Sequence, residues 1–227
     1  MIPNVQPTYG LGAEAQVVRN RVLRNTYWLL ALSMIPTVLG AVLGVMFQIP
    51  LPGGFLGAIV VLAVLFGFIW AIEKNKESGV GVALLLGFTF LMGLLLTPLL
   101  TRTLGFSNGG DLIMMAFGGT ACVFMGLASY ATVTKRDFSG MGSWLFAGVI
   151  MLIVASLANI FLQMPLISIV ISVIAIGIFS AYILYDVQQI VNGGETNYIS
   201  ATLALYLDVY NIFTNLLRLL GIFGGDD

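Results

Sequence analysis

Asp186 and Asp208 are the residues whose type and surroundings most invite chemistry, because each is an acid set in apolar sequence, LYDVQQI and LALYLDVYNIF. A charged side chain near the middle of a bilayer costs roughly 3 kcal/mol on insertion scales, so such residues usually face the protein interior and serve a function. Two carboxylates in a poorly solvated site cannot both be charged cheaply; they would share a proton and titrate as a unit, which makes a proton-sensitive switch. Their hard oxygens also suit Ca²⁺, although Ca²⁺ takes six to eight oxygen ligands, so Asp186 and Asp208 would need water, amides or carbonyls to complete a site. The alternative is purely structural: Asp186 in water at the end of its helix, and Asp208 hydrogen-bonded to neighbouring spans.

The elements that would position these acids follow from helical spacing. Steps of three and four place Asn197, Ala201, Ala204, Asp208, Asn211, Asn215 and Arg218 on one face of the last apolar segment. Lipid cannot solvate such a stripe, so this helix should be wrapped by the others. Tyr182, Asp186 and Gln189 share a face of the preceding segment in the same way. The two segments form a hairpin about NGGETN, and at 1.5 Å per residue the two acids differ in height by only about 4–8 Å. A meeting, direct or through water, is therefore feasible.

Composition sets the medium in which these helices sit. With 59% hydrophobic and only 8% charged residues, the chain falls far below the roughly 25% charge of a soluble domain, and lipid must replace the missing charged surface. Apolar runs at about 26–47, 55–72, 79–100, 112–133, 144–162, 166–185 and 198–223 are each long enough to cross a bilayer. Turn formers separate them, among them Pro50, Pro52, Gly53, Asn108, Gly109, Pro165, Gly193 and Gly194. The expectation is an all-α polytopic membrane bundle of about seven spans with a central, polar-striped seventh helix. Residues 1–25 form an N-terminal segment, 26–223 the transmembrane domain and 224–227 a short tail. Gly40 with Gly44, and the run Gly118, Gly119, Ala121, Gly126, Ala128 and Ser129, are read as close helix packing.

Lysine and arginine mark the cytoplasmic loops. Arg19, Arg21 and Arg24 precede the first span, Lys74 and Lys76 follow the second, Lys135 and Arg136 follow the fourth, and only Arg102 lies in the opposite loops. The N-terminus is thus expected in the cytoplasm. Seven complete spans put Asp226 and Asp227 outside, whereas a re-entrant last segment would keep them inside. The polar start and the spanning length of the first run argue for a retained helix over a cleaved signal.

A net charge of -1 offers no basic field for nucleic acid, Cys122 is alone, and the chain has no histidine. The lipid bilayer is the partner that composition names. Without histidine, Ser/His and Cys/His nucleophile pairs are excluded, and no phosphate-binding loop or dinucleotide fingerprint occurs. Paired aspartates on the last two spans are also found in intramembrane aspartyl proteases, but Asp208 follows LYL in place of Gly-x-Gly, and no proline occurs after Pro165. No clear inverted repeat supports a secondary transporter. The chain is expected not to be an enzyme, and to need no cofactor unless Ca²⁺ binds the acids.

The segments NGGETNYISATLALYLDVYNIF at 192–213, VLRNTYWLL at 22–30, ANIFLQMP at 158–165 and SYATVTKRDFS at 129–139 resemble, over nearly the whole chain, the Bax inhibitor-1 (transmembrane Bax inhibitor motif) family. The resemblance is strongest to its bacterial YccA-like branch of FtsH protease modulators. It implies six helices around a central seventh and, in the wider family, a pH-gated Ca²⁺ leak governed by an aspartate pair that Asp186 and Asp208 match by position. For the YccA-like branch it implies a regulator in the bacterial inner membrane that binds FtsH and restrains its degradation of membrane proteins. Because the other cytoplasmic loops are short, the polar segment from Met1 to Arg24 is the obvious handle for such a partner; the alternative is a solvated tail that contributes only topology signals. One departure is plain. Leak models in the family include a basic residue on the second span that latches an aspartate, and this sequence has no lysine or arginine between Phe55 and Ile72; Lys74 lies at the membrane edge.

Overall fold

A computed structural model describes residues 9–225, with side chains from Gln16 onward; residues 1–8, Asp226 and Asp227 lie outside the described residues. Eight α-helices follow one another: α1 (Tyr9–Phe47), α2 (Gly54–Lys74), α3 (Gly79–Leu95), α4 (Thr97–Leu104), α5 (Gly109–Val133), α6 (Gly142–Leu162), α7 (Pro165–Asn192) and α8 (Tyr198–Phe223). A short 3₁₀ turn at Ser139–Met141 leads into α6. Six of the helices are long and apolar enough to cross a membrane singly, and α3 with α4 together meet the same test as a bent pair, which as one span makes seven. The chain is a multi-pass membrane protein.

The bend of 40° between α3 and α4 has a local cause. Pro98 has no N–H to give to the Leu94 carbonyl, one turn back, and its ring obstructs a straight helix. The Thr97 hydroxyl supplies the missing donor, bonding Leu94 O at 2.6 Å. The apolar run expected at 79–100 is therefore broken at Leu96 and prolonged to Leu104. At the other end of the chain α1 begins well before the apolar run that starts at Thr26, since Ala, Gln and Arg in AEAQVVRNRVLR are good helix formers and carry the helix out of the hydrocarbon. The polar segment expected before Arg24 is thus helical from Tyr9 onward.

Packing is closest between α1 and α3. A Cβ added at Gly40 would run into the Phe90 carbonyl, at Gly44 into the Thr97 hydroxyl and at Gly93 into the Thr37 carbonyl, so the two backbones approach to a distance only glycine permits. The small residues of α5 divide. Gly119 meets Leu216 and Ala128 is buried, but Gly118 and Gly126 face open space, so these two glycines do no helix packing.

The core centres on α8. It packs against α1, α2, α3, α4, α5 and α7, whereas α6 lies outside, against α7 and α2. Five of the six other spans therefore surround the seventh. Leu205, Tyr206, Ile212 and Leu217 of α8 are fully buried, with Phe88, Ile183 and Val187 packed among them. Exposed apolar residues such as Trp70, Phe66, Trp144 and Phe161 cover the outside, as lipid contact requires.

Candidate functional site

The α7–α8 hairpin builds the site. Helix α7 stops at Asn192 because Gly193 turns left-handed, with φ of 79°, and returns its N–H to Ile190 O at 3.1 Å. A few residues later Asn197 starts α8: its side-chain oxygen accepts from the N–H groups of Ile199 (2.8 Å) and Ser200 (3.2 Å), which satisfies two otherwise unpaired donors. The same side chain donates to Lys76 O and Glu77 Oε1, both at 3.0 Å, so one amide caps α8 and ties it to the α2–α3 loop.

Within this hairpin the structure brings Asp186 and Asp208 together, with their carboxyl groups in hydrogen-bonding reach of one another. Asp208 is 3% exposed, and its Oδ2 is buried with no other hydrogen-bond partner among the described residues. Like charges so placed repel unless a proton lies between them. The Glu195 carboxylate in the turn adds a third negative charge near Asp186. Tyr182, half-buried one turn before Asp186, lies in electrostatic range of both acids and stacks on Phe179 at 6.2 Å. No lysine or arginine among the described residues is ion-paired with either acid. Lys74 places its Nζ 4.9 Å over the Trp70 ring.

The rest of the expected stripe does not join the pair. Asn211 donates to Leu207 O and Asn215 to Asn211 O, each at 2.8 Å, so both amides bond back onto their own helix. Gln189 folds its carboxamide against Gly194 in the turn. Arg218 is exposed near the far end of α8. The face is continuous along the helix, but only Asp208 of it meets the acid on α7.

Four polar side chains were not legible beforehand. Gln188, 5% exposed, accepts from Phe138 N and donates to Arg136 O, both at 2.5 Å, and so clamps the α5–α6 loop onto α7 close to Asp186. In that loop the exposed Asp137 carboxyl accepts from Ser139 N at 2.9 Å, and this backbone bond, with the Ser139 hydroxyl, holds it below the usual carboxylate range. Tyr206 shares a 2.8 Å hydrogen bond with Thr37 of α1, and Tyr210 donates to Met92 O of α3 at 3.1 Å. The doubling in VQQI offered a signal for Gln188, since two adjacent glutamines on a helix face different ways.

No group of three or more carboxylate, cysteine or histidine ligands that could hold a metal exists among the described residues. Two aspartates fall well short of the ligand number of a resident Ca²⁺ site.

The matched family model, "Inhibitor of apoptosis-promoting Bax1", covers residues 19–225. The chain belongs to the Bax inhibitor-1 family. Its relatives include the Escherichia coli K12 protein named "Modulator of FtsH protease YccA", 38% identical over 207 residues that make up 91% of this chain and 92% of that one. A Pseudomonas aeruginosa protein is 40% identical over 206 residues, 91% of each chain. A Vibrio cholerae relative named only as a membrane protein is 38% identical over 214 residues, 94% of this chain and 95% of its own. An E. coli O6:H1 relative carries the name "Inner membrane protein YccA". Each is nearly co-extensive with this family member.

Proposed function

We propose that this Bax inhibitor-1 family member is a non-catalytic regulator of the inner membrane that binds the FtsH protease and restrains its action on membrane proteins. What carries the reading is likeness to the E. coli modulator of FtsH over almost the whole of both chains. The basic loops support an N-terminus in the cytoplasm, and the tethers beneath them, Arg19 to Val191, Asn197 to Lys76 and Glu77, and Gln188 to the 136–138 loop, lie at one end of the bundle. With seven spans the C-terminus then lies on the periplasmic or outer side. The test is affinity purification of the full-length protein from membranes, together with the half-life of a membrane protein that FtsH degrades. FtsH should co-purify and the substrate should live longer when this protein is overproduced; a substrate half-life unchanged, with no FtsH recovered, overturns the reading.

A second reading rests on the contact of Asp186 on α7 with the buried Asp208 on the wrapped helix α8. It is a pH-sensitive Ca²⁺ leak in which the pair is the gate and Ca²⁺ the cargo. The test is Ca²⁺ influx into liposomes holding the purified protein, scanned from about pH 5 to 8, where a coupled carboxylate pair can titrate. Asp186→Asn and Asp208→Asn should each alter the pH profile. Flux indistinguishable from empty liposomes in every variant sinks this reading and leaves the pair structural.

A further inference from the structure

The connection between α6 and α7, from Gln163 to Pro165, leaves none of its own backbone N–H groups unanswered. Helix α6 closes on Gln163 in the left-handed region, with φ of 51°, and the Gln163 N–H donates to Asn159 O at 2.8 Å. Met164 N donates to the Asn159 side-chain oxygen at 3.2 Å, and Pro165, the first residue of α7, has no N–H to satisfy. The same Asn159 amide donates to Ser168 Oγ at 2.7 Å, so one side chain knots the ends of both helices. Around the knot the surface is apolar. Phe161, Leu162, Met164 and Leu166 are exposed, and they continue onto Phe55 and Leu56 at the start of α2, where the Phe55 and Phe161 rings lie 5.1 Å apart. No charged residue occurs between Asp137 and Asp186, or between Arg24 and Glu73. The α4–α5 connection at the same end of the bundle differs, with Arg102 before it and Asp111 after it, both exposed.

We infer that the α6–α7 turn is seated in the lipid leaflet opposite the basic loops, beneath the headgroups at the level of the glycerol esters, with acyl chains as the partner of its apolar cap. Helix lengths lead to the same depth. Trp144, exposed at the other end of α6, marks the interface there. From Trp144 to Leu162 the helix rises only about 27 Å at 1.5 Å per residue. The hydrocarbon is about 30 Å thick, and a tilt of about 20°, the average for spans, shortens the reach to about 25 Å. On α2 the stretch from Trp70 to Phe55 covers only about 22 Å. Both helices therefore end before their caps can clear the far headgroups. Water is scarce at that depth, so backbone donors must be satisfied within the protein, and the Asn159 knot satisfies those of the turn. The one polar side chain of the turn, Gln163, is uncharged and exposed, and its carboxamide can reach outward to the esters as long side chains do at membrane edges. The cap is continuous with the lipid-facing exterior of α2 and α6, which makes lipid its occupant too.

Spin-label accessibility of the full-length protein in dioleoylphosphatidylcholine liposomes tests this. Cys122→Ser removes the one native thiol. Single nitroxides are then placed by Gln163→Cys or by Leu166→Cys, the second guarding against a failure of the first to fold. Gly110→Cys, beside Asp111 at the start of α5, and Lys135→Cys at the basic end are the water references. Each label is read against oxygen, which concentrates among acyl chains, and against the water-soluble complex nickel ethylenediaminediacetate, present on both faces. The oxygen-to-nickel ratio at 163 and 166 should exceed that at 110 and 135 about fivefold or more, because water is scarce beneath the headgroups. A ratio equal to the references would put the turn in water and overturn the inference. Low accessibility to both reagents would mean cover by protein and overturn the lipid assignment; dipolar broadening that disappears on dilution with unlabelled protein would identify that cover as a second copy.

Discussion

Gln188→Ala should free the α5–α6 loop while leaving the bundle folded. The wild-type carboxamide makes two hydrogen bonds to this loop, to Phe138 N and Arg136 O. The consequences of losing them differ. Arg136 is exposed, so water replaces the donor to its carbonyl at little cost. Phe138 is half-buried against Tyr130, with ring centroids 6.4 Å apart, so its N–H is left without a ready partner, at about 1–3 kcal/mol. If that whole cost appears as easier local opening, the open population of the loop rises about 5- to 150-fold. Trypsin reads that population after Lys135 and Arg136, provided cleavage is slow relative to reclosing. With the protein in detergent, so that both faces are accessible, nicking at these two bonds should accelerate within that range, with the thermal midpoint of the bundle lowered only slightly. Gln188→Glu keeps the acceptor for Phe138 N but loses the donor to Arg136, and should fall between. Unchanged nicking in Gln188→Ala would show that the clamp carries no weight and that the loop is held by Phe138 packing alone.

Four further outcomes follow from the packing. Gly93→Val drives a branched side chain into the Thr37 carbonyl and should cost about 3 kcal/mol or more, the upper tail of single substitutions, seen as a large fall in thermal midpoint by tryptophan fluorescence. Gly118→Ala, which faces open space, should instead be neutral or stabilise by up to about 1 kcal/mol through helix propensity. Tyr206→Phe removes the hydroxyl bonded to Thr37 and should cost about 0.6–1.7 kcal/mol, the range for hydrogen bonds between spans, measured by unfolding in mixed micelles. Asn197→Ala removes a helix cap and the tether to the α2–α3 loop together; the cap alone is worth about 1 kcal/mol, and hydrogen exchange should rise at Ile199 and Ser200 and in the 75–78 loop.

The seven spans were legible because hydrocarbon imposes one demand, about twenty apolar residues per crossing, and each run of this chain meets it. What periodicity hid were features decided by single groups. Pro98 sits inside an unbroken apolar run, so hydropathy alone passes over the bend that its missing N–H creates. The first helix is longer than its apolar stretch because helix formation continues in water once a spanning segment has nucleated it. At the site, spacing found the two acids and a compatible height for them, but not which other members of the stripe would join. Asn211 and Asn215 illustrate why: an amide on a helix can bond to the carbonyl four residues back, so a polar face does not by itself declare an interhelical network.

Asp208 differs from those asparagines in a way that bears on function. A carboxylate cannot satisfy its oxygens on its own helix, whose backbone N–H groups are already engaged, and its Oδ2 is buried with no partner outside the acid pair among the described residues. Asparagine at 208 could donate to the Ala204 carbonyl, one turn back, as Asn211 and Asn215 do to theirs; an ionised aspartate cannot. The acid therefore carries a desolvation cost that asparagine there would not. Asp186 lies close along α7 to Gln188, which holds the α5–α6 loop, and Asp208 lies close along α8 to Tyr206, which is bonded to α1. On the proposed leak reading, a second negative charge at the pair would push α7 and α8 apart at the point where each is fastened to another element. The same displacement would reach the loop surface that a protease partner could contact and the core that an ion would cross, so the two functional readings share one structural origin and separate only in the readout chosen.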